Sequence, residues 1–398
     1  MAKVRILKNG NIITPFKILN NSSLIIEDGI ISGIINSDID FSNKSGIDIF
    51  DVSGLFITPG LIDIHTHGGG GQDCINGDIR TISNFKLKQG VTGYLPTIIA
   101  SPMESILDSI DRIFKVKNSN EIFNTQIMGV HLEGIYLNPS FRGAQPLEYL
   151  RKPDLKECSD IINRIPGFVK IMTISPEVDG CLDIIGFLSK MNVIPSVGHS
   201  DASVDIIERS INLGLKHATH IFNAMGRQPQ IEHGVYNPGL EDILLIKDEI
   251  NCEIIADTAY VHPVMMNLLL KIKQPSRVLL VSDSMGVAGL PNGEYDIGIE
   301  KIILKNEVAR LTDGRLTGSV LTMNKAIGNI MKITGIGICD AVRMASYNQA
   351  VVLGIESKKG TLDIGKDADI AVLDCNLNTV HTFINGKLVY SQKENVFK

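Results

Sequence analysis

The 398-residue chain contains no apolar stretch near the roughly 18 residues that cross a bilayer as a helix, so no membrane partner is expected. It has no basic run either. Its 38 Lys and Arg against 44 Asp and Glu leave a formal net charge of −6, which disfavours nucleic acid and anionic membranes as partners. Six cysteines (Cys74, Cys158, Cys181, Cys252, Cys339 and Cys375) form no C-x-x-C pair. Thiols scattered this way fit reduced, mostly buried side chains better than a disulfide framework. The opening Met1-Ala-Lys-Val-Arg-Ile-Leu-Lys-Asn-Gly10 lacks the apolar core and cleavage site of a secretory signal, so a cytoplasmic location is expected. Three catalytic signatures are also missing. There is no G-x-x-x-x-G-K-[ST] phosphate loop, no H-E-x-x-H and no G-x-S-x-G elbow, which sets aside those NTPase, metalloprotease and serine-hydrolase designs.

What is present is ordinary for a globular chain: 44% hydrophobic and 21% charged residues, which excludes disorder. The length calls for two to three domains of about 150 residues, or one large barrel with an accessory piece. Residues 1–55 read as short β-branched strands, Val4–Leu7, Ile12–Ile13, Ser23–Ile26 and Ile30–Ile35, punctuated by Asn9-Gly10 and Asp28-Gly29. Residues 356–398 repeat that texture in Ile370–Leu373, Val380–Ile384 and Leu388–Tyr390, with Asn385-Gly386 as a hairpin turn. Neither end has apolar residues enough for its own core, so both ends are expected to join in one small β-sandwich domain.

Residues 56–355 alternate apolar runs with helix-compatible segments such as Met103–Phe114, Asp205–Leu213 and Asn324–Ile333. Eight runs have strand character: Ile57–Ile64, Gly93–Leu95, Ile127–Leu132, Val169–Ile174, Val193–Val197, Lys216–Thr219, Cys252–Ala256 and Val278–Val281. Their tips fall about 31 residues apart, the spacing of an α/β fold of the (β/α)8 TIM-like type. An open doubly wound sheet is the alternative, but it gives no reason for eight regular units whose polar residues gather at the tips.

In such a barrel the C-terminal strand ends converge on one mouth. His65 and His67 end the first run, and residues two apart on a strand face the same way. Glu133 ends the third, His199 the fifth, His220 the sixth and Asp283 the eighth. A single histidine is usually structural, and a carboxylate after a strand is usually a helix N-cap. Together they make an N/O ligand set suited to one or two zinc or iron ions, with a carboxylate available as a bridge. A bound divalent ion acidifies its water, and Asp283 is placed to pass a proton to a leaving amine, which implies hydrolysis of an amide. Gly68–Gly71 is expected as a flexible loop.

Several segments extend this pattern: Pro59-Gly-Leu-Ile-Asp-Ile-His-Thr-His-Gly68, His131-Leu-Glu-Gly134 with Gly143-Ala144, Gly198-His-Ser-Asp-Ala202 and Thr219-His-Ile-Phe-Asn-Ala-Met225. Val281-Ser-Asp-Ser-Met285, Ala288-Gly-Leu-Pro-Asn-Gly293, Leu316-Thr-Gly-Ser319, Leu321-Thr-Met323 and Gly360-Thr-Leu-Asp-Ile-Gly-Lys-Asp-Ala-Asp369 continue it. On these residues the chain resembles the amidohydrolase superfamily, and within it the N-acetylglucosamine-6-phosphate deacetylases. The resemblance implies a metal-dependent hydrolase barrel and release of acetate from an N-acetyl amino sugar phosphate, most directly N-acetylglucosamine 6-phosphate. It implies that Glu133, His199 and His220 hold one ion, that His65 and His67 help hold a second, and that Asp283 is the acid–base. It further implies substrate contacts at Ala144, Gln145, Asn223, Ala224, Tyr260, Leu316 and Gly318, and a homodimer.

The sequence departs from the family where substrate is recognised. Gln145 stands where the family has His, Tyr260 stands in place of a second His, and Tyr236-Asn237-Pro238-Gly239 replaces Arg-Glu-Pro-Gly. An additional segment, Gly226–Gly234, precedes it, so Arg227 or an arm of a partner subunit is the expected replacement cation. Alternatives are a related N-acyl sugar with altered phosphorylation or epimer, a hydantoinase-like enzyme bridged by carbamylated Lys170, and a non-catalytic barrel.

Overall fold

The computed structural model describes residues 4–36, 46–119, 125–227, 234–235, 237–298 and 301–392. Its centre is a parallel barrel of eight strands, β1 (Leu61–Thr66), β2 (Val91–Ile99), β3 (Val130–Glu133), β4 (Val169–Ile174), β5 (Ile194–Val197), β6 (His217–Ala218), β7 (Asn251–Ile255) and β8 (Val278–Val281). Each pairs in parallel with the next. Two backbone bonds bring β8 back to β1: Asp283 N–H to the His65 carbonyl (2.8 Å) and Ser284 carbonyl to His67 N–H (2.9 Å). All eight runs read from the sequence as strands are found here. Their unbroken apolar character follows from burial on both faces, since β1, β2 and β8 are buried almost throughout.

Two of those runs are divided. Ile57–Ile64 breaks at Gly60, with Phe56–Pro59 in the small sheet and β1 in the barrel. A Cβ at Gly60 would stand 2.1 Å from Thr92 Oγ1, so only glycine lets the chain cross β2 this closely. Ile127–Leu132 is likewise split into Gln126–Ile127 and β3, both pairing with β2.

The chain ends build one eight-stranded, mainly antiparallel sheet, in which Phe56–Pro59 lies between Val4–Ile13 and Ile370–Leu373. Leu7, Ile12, Leu24, Ile26 and Ile57 from the first end pack with Ile370, Val372 and Phe383 from the second in one apolar cluster. The expected helices also form. Met103–Lys117 buries Ile106, Ile110 and Ile113 along one stripe. Val204–Asn212 starts where the Ser203 side chain accepts from Ile206 N–H, and Met323–Thr334 ends at Gly335 with φ of 77°.

Three features were not read from the sequence. A three-stranded antiparallel sheet, Gly293–Asp296, Lys301–Lys305 and Val308–Leu311, is inserted after β8 and packs its own cluster around Val287, Ile302, Leu304 and Ala309. A fully buried ion pair joins Lys86 on helix Ile79–Leu87 to Asp63 on β1 at 2.8 Å, and Lys86 also donates to the Ser282 and Ser284 hydroxyls. The third concerns Gly68–Gly71, which is no free loop. Gly68–Gly69 pairs with Gln72–Asp73, and a Cβ at Gly69 would strike the Phe85 ring at 2.3 Å.

Candidate metal centre

The strand tips turn sharply as they leave the barrel. His199, His220 and Asp283 have φ of 52°, 28° and 45°, a left-handed conformation that is uncommon for residues other than glycine and costs of the order of 1 kcal/mol each. These turns set the three side chains at one point, together with His65 from β1, His67 just beyond its end and Glu133 from β3.

Glu133 is the hub. Its Oε1 lies 2.9 Å from His220 Nε2, 3.1 Å from His199 Nε2 and 3.5 Å from His65 Nε2, while Oε2 lies 3.3 Å from His67 Nε2. Asp283 Oδ1 is 3.0 Å from His67 Nε2 and 3.5 Å from His65 Nε2. All six side chains are buried.

The tautomers show what this centre requires. His199 Nδ1 lies 2.9 Å from the Phe141 carbonyl, which only accepts, so Nδ1 carries the proton. Nε2 is then the nitrogen left to ligate, and it faces a Glu133 oxygen at 3.1 Å and His220 Nε2 at 3.2 Å. His65 Nδ1 donates to Glu253 Oε2 at 2.8 Å, leaving Nε2 facing His67 Nε2 at 3.3 Å. Lone pairs facing one another in a buried site call for positive charge between them. Without a metal, protons supply it. Burial would lower both imidazoles, but Glu253, Asp283 and Glu133 raise His65 to about 9, and bonds to Asp283 and Glu133 raise His67 to about 10.

A divalent cation fits the same place. Ligands about 2.0–2.1 Å from a tetrahedral ion stand about 3.3 Å apart, close to the separations found here. Two groups have that arrangement, His65/His67/Glu133 and Glu133/His199/His220, and they share Glu133. A third group, His65/His131/Glu253, is hydrogen-bonded bracing instead. His131 Nδ1 bonds to the Ile64 carbonyl at 3.2 Å and Nε2 to Thr173 Oγ1 at 2.8 Å, and burial pushes this imidazole down to about 3.

Glu253, on β7, is the residue that sequence reasoning missed. It accepts from His65 Nδ1, from His217 Nε2 at 3.0 Å and from the His220 amide at 3.2 Å. Burial alone would raise its pKa; the His65 charge and the bonds from His217 and His65 hold it well below the usual carboxylate range. Its one signal in the sequence is an ionisable residue inside the apolar run Cys252–Ala256, which needs a buried partner.

The centre opens into a cavity of about 420 Å³, the size of a small-molecule site. His67, Glu133, Ala144, Gln145, His199, His220, Asn223, Ala224, Tyr260, Asp283, Leu316 and Gly318 line it. His65 sits behind them, fully buried. Leu316–Ser319 is fixed against the β8 tip, where Ser319 N–H donates to the Asp283 carbonyl at 2.7 Å. Asn223 Oδ1 and the Tyr260 hydroxyl are buried and without a partner among the described residues.

Two of the expected substrate contacts already have protein partners. Gln145 is committed at both ends of its amide, accepting from Ala100 N–H at 2.9 Å and donating to Glu133 Oε2 at 2.7 Å, so it braces the hub. Arg227 does not line the cavity. It bonds to Asp242 at 2.9 Å and approaches Glu241 at 3.6 Å. Tyr236 and residues 228–233 of the added segment lie outside the described residues. Lys170 stands at the start of β4 and lines a different cavity, away from the hub, so no lysine is placed to bridge ions among the described residues.

Residues 56–389 match the amidohydrolase family. The chain is 30% identical over 399 residues to an N-acetylglucosamine-6-phosphate deacetylase of Bacillus subtilis (strain 168), covering 99% of each chain. It is 29% identical to an N-acetylgalactosamine-6-phosphate deacetylase of Escherichia coli O157:H7, covering 96% of this chain and 98% of that one. Among solved structures it superposes with a TM-score of 0.86 and 25% identity on a mutant N-acetyl-D-glucosamine-6-phosphate deacetylase from Mycobacterium smegmatis in complex with N-acetyl-D-glucosamine-6-phosphate, covering 98% of this chain and 100% of that chain. With the family match spanning most of its length, the chain belongs to the amidohydrolase family.

Proposed function

We propose that this chain is a metal-dependent deacetylase that hydrolyses N-acetylglucosamine 6-phosphate to glucosamine 6-phosphate and acetate. The observation that carries the reading is the convergence of Glu133, His199 and His220 with Asp283 on one cavity. Glu133, His199 and His220 would hold the principal ion, zinc or iron, and His65 and His67 would help hold a second, with Glu133 common to both groups. Such an ion, when bound, polarises the amide carbonyl and acidifies water.

The protein's own groups do the rest. Asp283 faces the cavity beside the histidines and serves as the base that takes the water proton and the acid that returns it to the departing nitrogen. Return of that proton is obligatory, because an amide anion is too basic to leave. Gln145 holds Glu133 in place. Tyr260, pushed up by burial and by the charges of Asp283 and Asp257, stays a neutral hydroxyl that can donate to the sugar. Met285 and Ile99 give the cavity apolar walls that suit an acetyl methyl. We further place the enzyme in the cytoplasm as a homodimer, a location that suits the free thiols of all six cysteines.

A second substrate has a specific observation behind it. One relative is named for the galactosamine epimer, and Gln145 and Tyr260 replace two family histidines, so N-acetylgalactosamine 6-phosphate is the competing substrate. Acetate release from both sugars by protein loaded with Zn or Fe decides between them. Turnover of neither, at full metal occupancy, rejects the deacetylase reading.

A further inference from the structure

We propose that Arg315 is the residue that reads the 6-phosphate, so that phosphate specificity is set by the turn that follows the inserted sheet. The inference rests on the deacetylase reading above and adds the side chain that meets the dianion.

The metal centre at Glu133, His199 and His220 is where the amide must sit, so the phosphate at the other end of the substrate needs a cation elsewhere on the cavity wall. Arg315 is the one lysine or arginine among the described lining residues. Its guanidinium is held by two bonds. Nε donates to Asp313 Oδ2 at 2.7 Å, and Nη1 donates to the Gly143 carbonyl at 2.7 Å. Nη2 has no protein partner among the described residues. Gly143 in turn abuts the metal centre: a Cβ there would meet His199 Cε1 at 3.4 Å and Ala224 Cβ at 3.8 Å. The carbonyl that holds Arg315 therefore belongs to the wall beside His199 and Ala224.

The Asp313 contact does not consume this charge. Half of the Asp313 side-chain surface is exposed, and an ion pair in water is weak, so it orients the fork while leaving it attractive to an anion. Arg227 is the contrasting case. It faces two carboxylates, Asp242 and Glu241, and gives a further donor to the Asn237 carbonyl.

The test compares metal-loaded wild type with Arg315→Gln, Arg315→Lys and Arg227→Gln. Acetate release is followed from N-acetylglucosamine 6-phosphate and from unphosphorylated N-acetylglucosamine, and glucosamine 6-phosphate binding is titrated separately. Arg315→Gln should raise KM for the phosphate ester about ten- to a hundredfold, the range for losing a charge-assisted bond, and leave the unphosphorylated sugar unchanged. Arg315→Lys should recover part of that loss. Equal effects on both sugars, or a phosphate-selective loss in Arg227→Gln alone, would overturn the proposal. The titration separates it from the parent reading. Binding of glucosamine 6-phosphate that is lost in Arg315→Gln, in a protein that releases no acetate, upholds the phosphate site and rejects the deacetylase. Binding that survives Arg315→Gln rejects the phosphate site whatever the turnover.

Discussion

Replacing Glu253 with Gln tests whether the buried bracing beneath the histidines sets metal affinity. The carboxylate accepts three bonds on two oxygens, from His217 Nε2 to Oε1 and from His65 Nδ1 and the His220 amide to Oε2. A Gln side chain keeps two of these by placing its carbonyl oxygen at the Oε2 position, and its NH2 then faces His217 Nε2. His217 can become an acceptor there only by moving its proton to Nδ1, which is buried with no partner among the described residues. One buried donor thus goes unsatisfied and a charge-assisted bond to His65 becomes a neutral one, about 1–3 kcal/mol of stability in all. His65 keeps its tautomer but loses the anion that raises its basicity, and loss of such a partner typically weakens a metal site ten- to a hundredfold, roughly 1.4–2.8 kcal/mol. Competition against a chelator indicator measures the affinity, and thermal unfolding of the metal-free protein measures the stability. Metal affinity unchanged within about twofold, in a variant that is measurably destabilised, would show that Glu253 is packing support only.

Other perturbations address separate parts of the structure. Asp283→Asn should retain metal content by elemental analysis and lose about 10²–10⁴-fold in kcat, because the amide cannot relay a proton; a loss of metal instead would recast Asp283 as a ligand. Lys86→Met leaves Asp63 buried without its cation at the β1–β8 seam and should destabilise the fold by about 3–5 kcal/mol in denaturant melts; a change below about 1 kcal/mol would refute the pairing as a stabilising element. Burial pushes Cys74, Cys158 and Cys252 up to about 12, whereas Cys375 is exposed. A thiol reagent at pH 8 should therefore modify Cys375 first in native protein and all six thiols in denaturant, with early loss of Cys74 or Cys252 contradicting the buried placement.

The barrel and the hub were legible because their signals are local. Each strand is a short apolar run ending in a polar residue, and a fold that gathers strand tips makes those residues neighbours without further information. The inserted sheet was not legible. Its strands alternate buried and exposed residues, as in Lys301–Lys305, and its turn places Asn306 and Glu307 at φ of 53° and 60° in place of the Asn-Gly that marks such turns. Glu253 and the Lys86–Asp63 pair were hidden for a related reason. A charged residue in an apolar run looks the same in sequence whether it faces water or the barrel axis, and only pairing register shows which.

Arg227 and Arg315 make that argument at the level of a single charge. In sequence, Arg227 is the natural replacement for a missing phosphate-binding Arg, since it lies nine residues before Tyr236, where that Arg would stand. Arg315 sits in an ordinary Asp313-Gly314-Arg315 turn with nothing to single it out. In space the order reverses, because a cation's availability depends on the carboxylates around it. Arg227 is met by Asp242 and Glu241, which lie fifteen and fourteen residues along the chain and reach it through the helix start at Leu240. Arg315 is held by one exposed Asp and by a carbonyl from a loop 172 positions away, and it faces the cavity. Recognition chemistry can be listed from residue types, but which residue is free to perform it is decided by long-range pairing that the linear order does not contain.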